Sequence, residues 1–168
     1  MERYTFKIIV AGDYAVGKTS LLNRYIDARF SEDYLPTLGV NMLRREMQRG
    51  ENKIKLLFWD IAGQELFAQV REQFYEGTQG AMLVYDVNRP ETFANISKWH
   101  NEIIKRNEET VHCILIGNKI DLEKIVPTGE GKKYAEEHKM FFFETSARTG
   151  KRIDEAFNYF TEYLINIY

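Results

Sequence analysis

Short apolar runs recur along the chain at residues 6–10, 54–59, 81–85, 111–116 and 140–143. Most are rich in β-branched or aromatic residues, and continuous runs of this length predict strands buried on both faces, the habit of a parallel sheet. Between them the apolar positions take a helical period, over 18–28, 92–105, 131–138 and 153–167. Pro90 stands where a helix would begin, and Thr128 and Asp154 where a cap or a first-turn acid would stand. The stretch 41–48 is more polar. With the turn Arg49-Gly50-Glu51-Asn52 it predicts an edge strand folded back as a hairpin onto 54–59. Strands alternating with helices imply right-handed crossovers and a three-layer α/β domain. No repeat, low-complexity segment or linker interrupts residues 1–168, so a single domain is expected.

In open sheets of this kind, ligands collect beyond the carboxyl ends of the strands. The first run leads into AGDYAVGKTS, residues 11–20, which fits G-x-x-x-x-G-K-[ST]. Here Gly12, Asp13, Tyr14, Ala15, Val16 and Gly17 form a loop whose N–H groups face an anion, while Lys18, Thr19 and Ser20 open the helix behind it. Lys18 is expected to reach the terminal phosphates, and Thr19 to offer its hydroxyl to Mg²⁺. WDIAGQE, residues 59–65, places Asp60 at a strand end to hold a metal-bound water. Gly63 brings a backbone N–H for a terminal phosphate, and Gln64 an amide able to donate to and accept from an attacking water.

GNKID, residues 117–121, follows another strand. A carboxylate at Asp121 accepts from both N1–H and the exocyclic amine of guanine. Adenine has no donor at N1, and the unpaired charge would cost on the order of 1–3 kcal/mol or more. In ETSART, residues 144–149, the Ala147 N–H suits guanine O6, with Ser146 and Arg148 beside it. Lys119 lays its alkyl stem along the purine, next to Asn118. Each motif alone is weak. In this order and at strand ends they specify a guanine nucleotide.

Composition narrows the rest. Hydrophobic residues make up 44% and the net charge is −2 without a basic run, which argues against nucleic acid as a partner. A single cysteine, Cys113, permits no internal disulfide and suits a reducing compartment. No segment has the form of a signal peptide or the length of a membrane span. The printed sequence ends at Tyr168 without a prenylation motif. A cytoplasmic monomer is therefore expected, peripheral on membranes only where a tail beyond Tyr168 or a partner provides the attachment. His100, His112 and His138 are isolated and take no role.

Together GDYAVGKT, Pro36-Thr37, WDIAGQE, NKID and TSAR resemble a Ras-superfamily small GTPase over essentially the whole chain. YLPTLGVNM at 34–42 and FYEGTQGAMLVYDVNRPETF at 74–93 are most similar to the Rab branch. The resemblance implies a P-loop NTPase fold, with a six-stranded, mostly parallel sheet, one antiparallel edge strand and about five helices. It also implies GTP/GDP and Mg²⁺ binding, slow GTP hydrolysis and two switch regions. Phe30 would stack on guanine. Thr37 would give Mg²⁺ a ligand and its N–H to the γ-phosphate, and Gln64 would orient the water. Met42, Trp59 and Phe74 match the Rab aromatic triad that exchange factors, activators and effectors read, although the family usually has Phe, Trp and Tyr there. A core role for Trp59 and Phe74 is the competing reading.

Arg24, Arg29, Arg44, Arg45 and Arg71 read as solvated surface charges. A partner's arginine is therefore expected to accelerate hydrolysis by about 10³–10⁵-fold, a range known for this superfamily. Tyr14 stands where Ras has glycine, and is expected to point outward into the space such an arginine would enter. Two other readings remain: a GTP-binding scaffold with negligible hydrolysis, and another P-loop enzyme such as an ATPase or nucleotide kinase. Gln64, Thr37 and Thr19 argue against the first, and the Asn118–Asp121 motif against the second.

Overall fold

The computed structural model describes residues 1–26, 39–64, 68–107 and 111–168, together with the backbone of 32–35. The expectations placed on Phe30, Pro36, Thr37 and Arg29 lie outside the described residues. Among the described residues, seven strands form one sheet in the order β2-β3-β4-β1-β5-β6-β7. These are β1 (Arg3–Ala11), β2 (Glu32–Leu35), β3 (Val40–Arg49), β4 (Asn52–Ile61), β5 (Gly80–Asp86), β6 (His112–Asn118) and β7 (Phe141–Thr145). The six long strands are those expected: β1, β4, β5, β6 and β7 run parallel, and β3 pairs antiparallel with β4 as a hairpin. The short strand β2 adds outside β3, so β3 is covered over its first four residues rather than forming the bare edge.

The helices are α1 (Lys18–Tyr25), α2 (Ala68–Arg71) with a 3-10 turn at Glu72–Phe74, α3 (Pro90–Ala94), α4 (Ile96–Lys105), α5 (Thr128–Glu137) and α6 (Ile153–Ile167). The predicted helix 92–105 is thus two, meeting at Asn95, and α1 ends early because Ile26 is already extended. Pro90 does open α3, where its missing N–H is no loss. Asp154 lies in the first turn of α6. Thr128 starts α5 behind Pro127 and turns its hydroxyl to Glu144 instead of capping.

Every residue of β5 is buried, as a central parallel strand covered on both faces must be. One face packs Ile8, Val10, Phe58 and Met82 under Leu21, Tyr25, Phe157 and Phe160 of α1 and α6. The other packs Ile9, Leu83 and Leu115 under Trp99, Ile103 and Ala135 of α4 and α5. Parallel register brings the strand ends level, with Val10 opposite Asp60, Asp86 opposite Asn118, and Asn118 opposite Thr145. The loops that follow therefore open on one edge of the sheet.

Candidate nucleotide site

The loop between β1 and α1 bends through left-handed backbone at Ala15 (φ 61°) and Gly17 (φ 99°). A Cβ on Gly17 would lie 2.3 Å from Asn118 Nδ2, and one on Gly12 would lie 2.2 Å from the Val84 carbonyl oxygen. Both glycines are fixed by crowding as well as by conformation. Side chains engage each carbonyl of residues 12–16. Lys18 Nζ donates to Gly12 (2.8 Å) and Asp13 (2.9 Å), Arg89 Nη1 to Tyr14 (3.1 Å), Lys119 Nζ to Ala15 (2.7 Å) and Asn118 Nδ2 to Val16 (2.9 Å). Carbonyls held this way keep their negative ends off an anion and leave the N–H groups for it.

Beside the loop lies a cleft of about 640 Å³ lined by Tyr14, Lys18, Thr19, Asp60, Gly63 and Gln64, among others. Ser20 also lines it. Burial pushes the Lys18 amine down to about 8, against the opposing pull of Asp60 and Asp13. An amine short of countercharge in a dry position favours an arriving phosphate. Thr19 Oγ1 donates to Asp60 Oδ2 at 2.5 Å, so two hard oxygen donors meet at the cleft wall. With phosphate oxygens and water to complete the shell, that donor set fits Mg²⁺. Gly63 packs so tightly on the phosphate loop that a Cβ there would come within 2.4 Å of the Tyr14 nitrogen.

Two residues of the predicted loop contribute backbone only. The Asp13 carboxylate turns away from the cleft, accepting from Trp99 Nε1 (2.8 Å) and Asn95 Nδ2 (2.7 Å). Val16 is fully buried in the core. Tyr14 is 64% exposed and does point outward.

At the base end, Asn118 is a strut. Its amide oxygen accepts from Thr145 Oγ1 (3.1 Å) and the Ala147 N–H (3.2 Å), the donor expected for guanine O6. Ser146 Oγ donates to Asp121 Oδ1 at 2.7 Å, and the Asp121 side chain is only 14% exposed. Arg148 lies at 4.0 Å from Asp121, on the rim. Lys119 anchors its ammonium on Ala15 and on Asp86 (3.2 Å), with positive φ at its own backbone, so its side chain reaches from the end of β6 to the phosphate loop.

The arginine reading needs correction. Arg71 has 0% exposure, with its guanidinium forked onto Glu102 (2.9 and 3.1 Å), stacked over Trp99 and donating to the Gln64 carbonyl (3.1 Å). Arg45 lies against the Tyr25 ring at 4.0 Å. Arg89, Asn95 and Glu102 also serve the site, and no motif in the sequence marks them. The Met42, Trp59 and Phe74 side chains are all half-buried: Met42 is opposite Trp59 in the hairpin, and Trp59 lies on the Phe74 ring at 5.6 Å.

A glycine-bent loop with a buried lysine, at the strand ends of a mostly parallel sheet, defines a P-loop nucleotide-binding protein. Residues 7–166 match the Ras family model, and the chain belongs to the Ras family of GTP hydrolases. It is 42% identical over 157 residues to Ras-related protein RABA4b of Arabidopsis thaliana, covering 92% of this chain and 70% of that protein. Identity to Ras-related protein Rab-2B of Dictyostelium discoideum is 41% over 164 residues, covering 96% of this chain and 81% of that protein. Ras-related protein RABA5e of Arabidopsis thaliana is 43% identical over 158 residues, covering 93% and 72%. The scaffold reading is not favoured by these relationships.

Proposed function

We propose that this GTPase is a Rab-type switch for membrane traffic, which binds guanine through Asp121, holds the phosphates on the loop 12–17 and hydrolyses GTP with Gln64 orienting the water. The observation that carries this reading is the convergence of Lys18, Thr19, Asp60, Gly63 and Gln64 on one cleft. Phosphoryl transfer asks for position and neutralised charge more than covalent help. Lys18 exchanges its two loop carbonyls for phosphate oxygens and supplies that charge. Thr19, Asp60 and Thr37 would hold Mg²⁺, which neutralises charge on the β- and γ-phosphates. Gly63, packed against the phosphate loop, offers its N–H to the terminal phosphate. Ser146 fixes the rotamer of Asp121, so the carboxylate meets the base already oriented. Ala147 exchanges Asn118 for guanine O6, and Phe30 stacks on the base.

Loss of the γ-phosphate releases Thr37 and Gly63, and the surface around Met42, Trp59 and Phe74 changes shape for its readers. Recruitment to membranes proceeds through those partners or a lipidated tail. Single-turnover hydrolysis on purified protein tests the reading, with ATP in parallel and Gln64→Leu as the variant. GTP should turn over slowly, ATP should be ignored, and Gln64→Leu should lose at least about tenfold. Wild-type turnover by Gln64→Leu would refute the assignment of the water.

A further inference from the structure

The phosphate loop and the backbone of Gln64 are joined through one indole ring. Trp99, in α4, donates its edge N–H to the Asp13 carboxylate at 2.8 Å. Its face carries the Arg71 guanidinium at 4.3 Å. Arg71 in turn donates Nη1 to the Gln64 carbonyl at 3.1 Å, while Nε and Nη2 grip Glu102 one turn further along α4. Glu102 also accepts from Tyr75 Oη at 3.0 Å, which fixes the carboxylate. Trp99 and Arg71 are both essentially inaccessible to water. A buried guanidinium forked onto Glu102 and laid over Trp99 is held in one geometry, because its planar fork cannot turn without breaking several bonds together.

We propose that Arg71 and Trp99 act as positioning residues that couple the seating of phosphate in the loop to the placement of Gln64. Anion capture by the loop N–H groups sets the backbone at Asp13, whose carboxylate holds the indole edge. The indole face sets the guanidinium plane, and the guanidinium sets the Gln64 carbonyl, one residue's backbone from the amide that orients the water. Neither residue lines the cleft beside the phosphate loop. Their effect therefore falls on the rate of the chemical step, with nucleotide affinity nearly unchanged. The inference rests on the assignment of Gln64 as the water-positioning residue.

Three variants test it against the wild type in single-turnover GTP hydrolysis, with GDP affinity and thermal midpoint measured alongside. Gln64→Leu reports on the underlying assignment. Arg71→Lys keeps the charge and loses the fork, and Trp99→Phe keeps a ring face and loses the N–H. Each of the last two is expected to slow hydrolysis by about tenfold or more, with GDP affinity within about threefold of wild type. Their double variant should be little slower than either alone, since both cut one line of contacts. Proton NMR gives an independent readout. The Trp99 indole N–H resonance, identified by its loss in Trp99→Phe, should differ between GDP and a non-hydrolysable GTP analogue, and Arg71→Lys should shrink that difference. Wild-type rates in folded Arg71→Lys and Trp99→Phe, with Gln64→Leu inactive, would overturn the coupling alone. Losses that multiply in the double variant would overturn it too. Full activity in Gln64→Leu would instead remove the assignment beneath it.

Discussion

The two ends of the nucleotide site are built on different terms. At the base end, the side chains proposed to recognise guanine are already held in place: Ser146 steadies Asp121, and Lys119 is tied at both Ala15 and Asp86. Those residues sit at the ends of β6 and β7, two strands with long parallel pairing behind them. At the terminal-phosphate end, Lys18 rests on the Gly12 and Asp13 carbonyls and Thr19 on Asp60, bonds that would be exchanged for nucleotide and metal in the proposed function. In the proposed function, selectivity for the base is thus stored mainly in side chains the fold already holds, while response to the γ-phosphate is stored in bonds to be replaced. A switch needs both, since the part that chooses the ligand should not be the part that moves.

The largest expected effect breaks the base end. Asp121→Asn removes the carboxylate proposed to accept from guanine N1–H and the amine, and titration calorimetry should show GTP affinity falling by about 10²–10⁴-fold. A change of less than tenfold would mean the base is recognised elsewhere. The next separates the two loops at the phosphate end. The added methyl of Gly63→Ala would lie 2.4–2.5 Å from backbone atoms of Gly12, Asp13 and Tyr14, which cannot yield. Hydrolysis should fall by roughly 10²-fold while GDP, which lacks the γ-phosphate, binds much as before. Equal losses in both would show that Gly63 serves the whole site.

A smaller effect follows from Lys18. Phosphate binds the charged amine and raises its pKa from about 8, so binding takes up a proton above that value. Affinity should be flat below about pH 8 and fall by up to tenfold per unit above it. In the free protein the sign reverses. The amine's pKa lies below its ordinary 10.5, so the cost of burying the charge is full below about pH 8 and is relieved as pH rises toward 10.5. Lys18→Met should accordingly melt higher near pH 7 while binding nucleotide poorly; a lower melting point would contradict the burial argument. Smallest is Tyr14→Gly, expected to leave intrinsic hydrolysis within about threefold and to speed the partner-stimulated rate. No change in either rate would end the steric account of Tyr14.

The strands and the phosphate loop were legible because their signals are local: apolar runs, and glycines spaced around a lysine. The base pocket was legible because its motifs follow strands in order. What stayed hidden depends on contacts between distant segments. Arg71 looks like any polar residue of a surface helix, and only the fold brings it to Glu102 and Trp99. Asp13 carries no sign that its carboxylate would leave the cleft for α4. The break at Asn95 leaves no mark in the pattern because the apolar period continues across it, while β2 comprises only four residues and pairs with β3 alone.

Asn118 has a consequence for how the nucleotide leaves. One buried amide group ties the carbonyl of Val16 in the phosphate loop to the Thr145 hydroxyl at the end of β7. The pocket for the base and the cradle for the phosphates therefore hang from a common joint, and loosening one slackens the other. A protein that speeds nucleotide release has no need to pry at both ends. Leverage on either is passed through Asn118, and the ligand is let go as a whole.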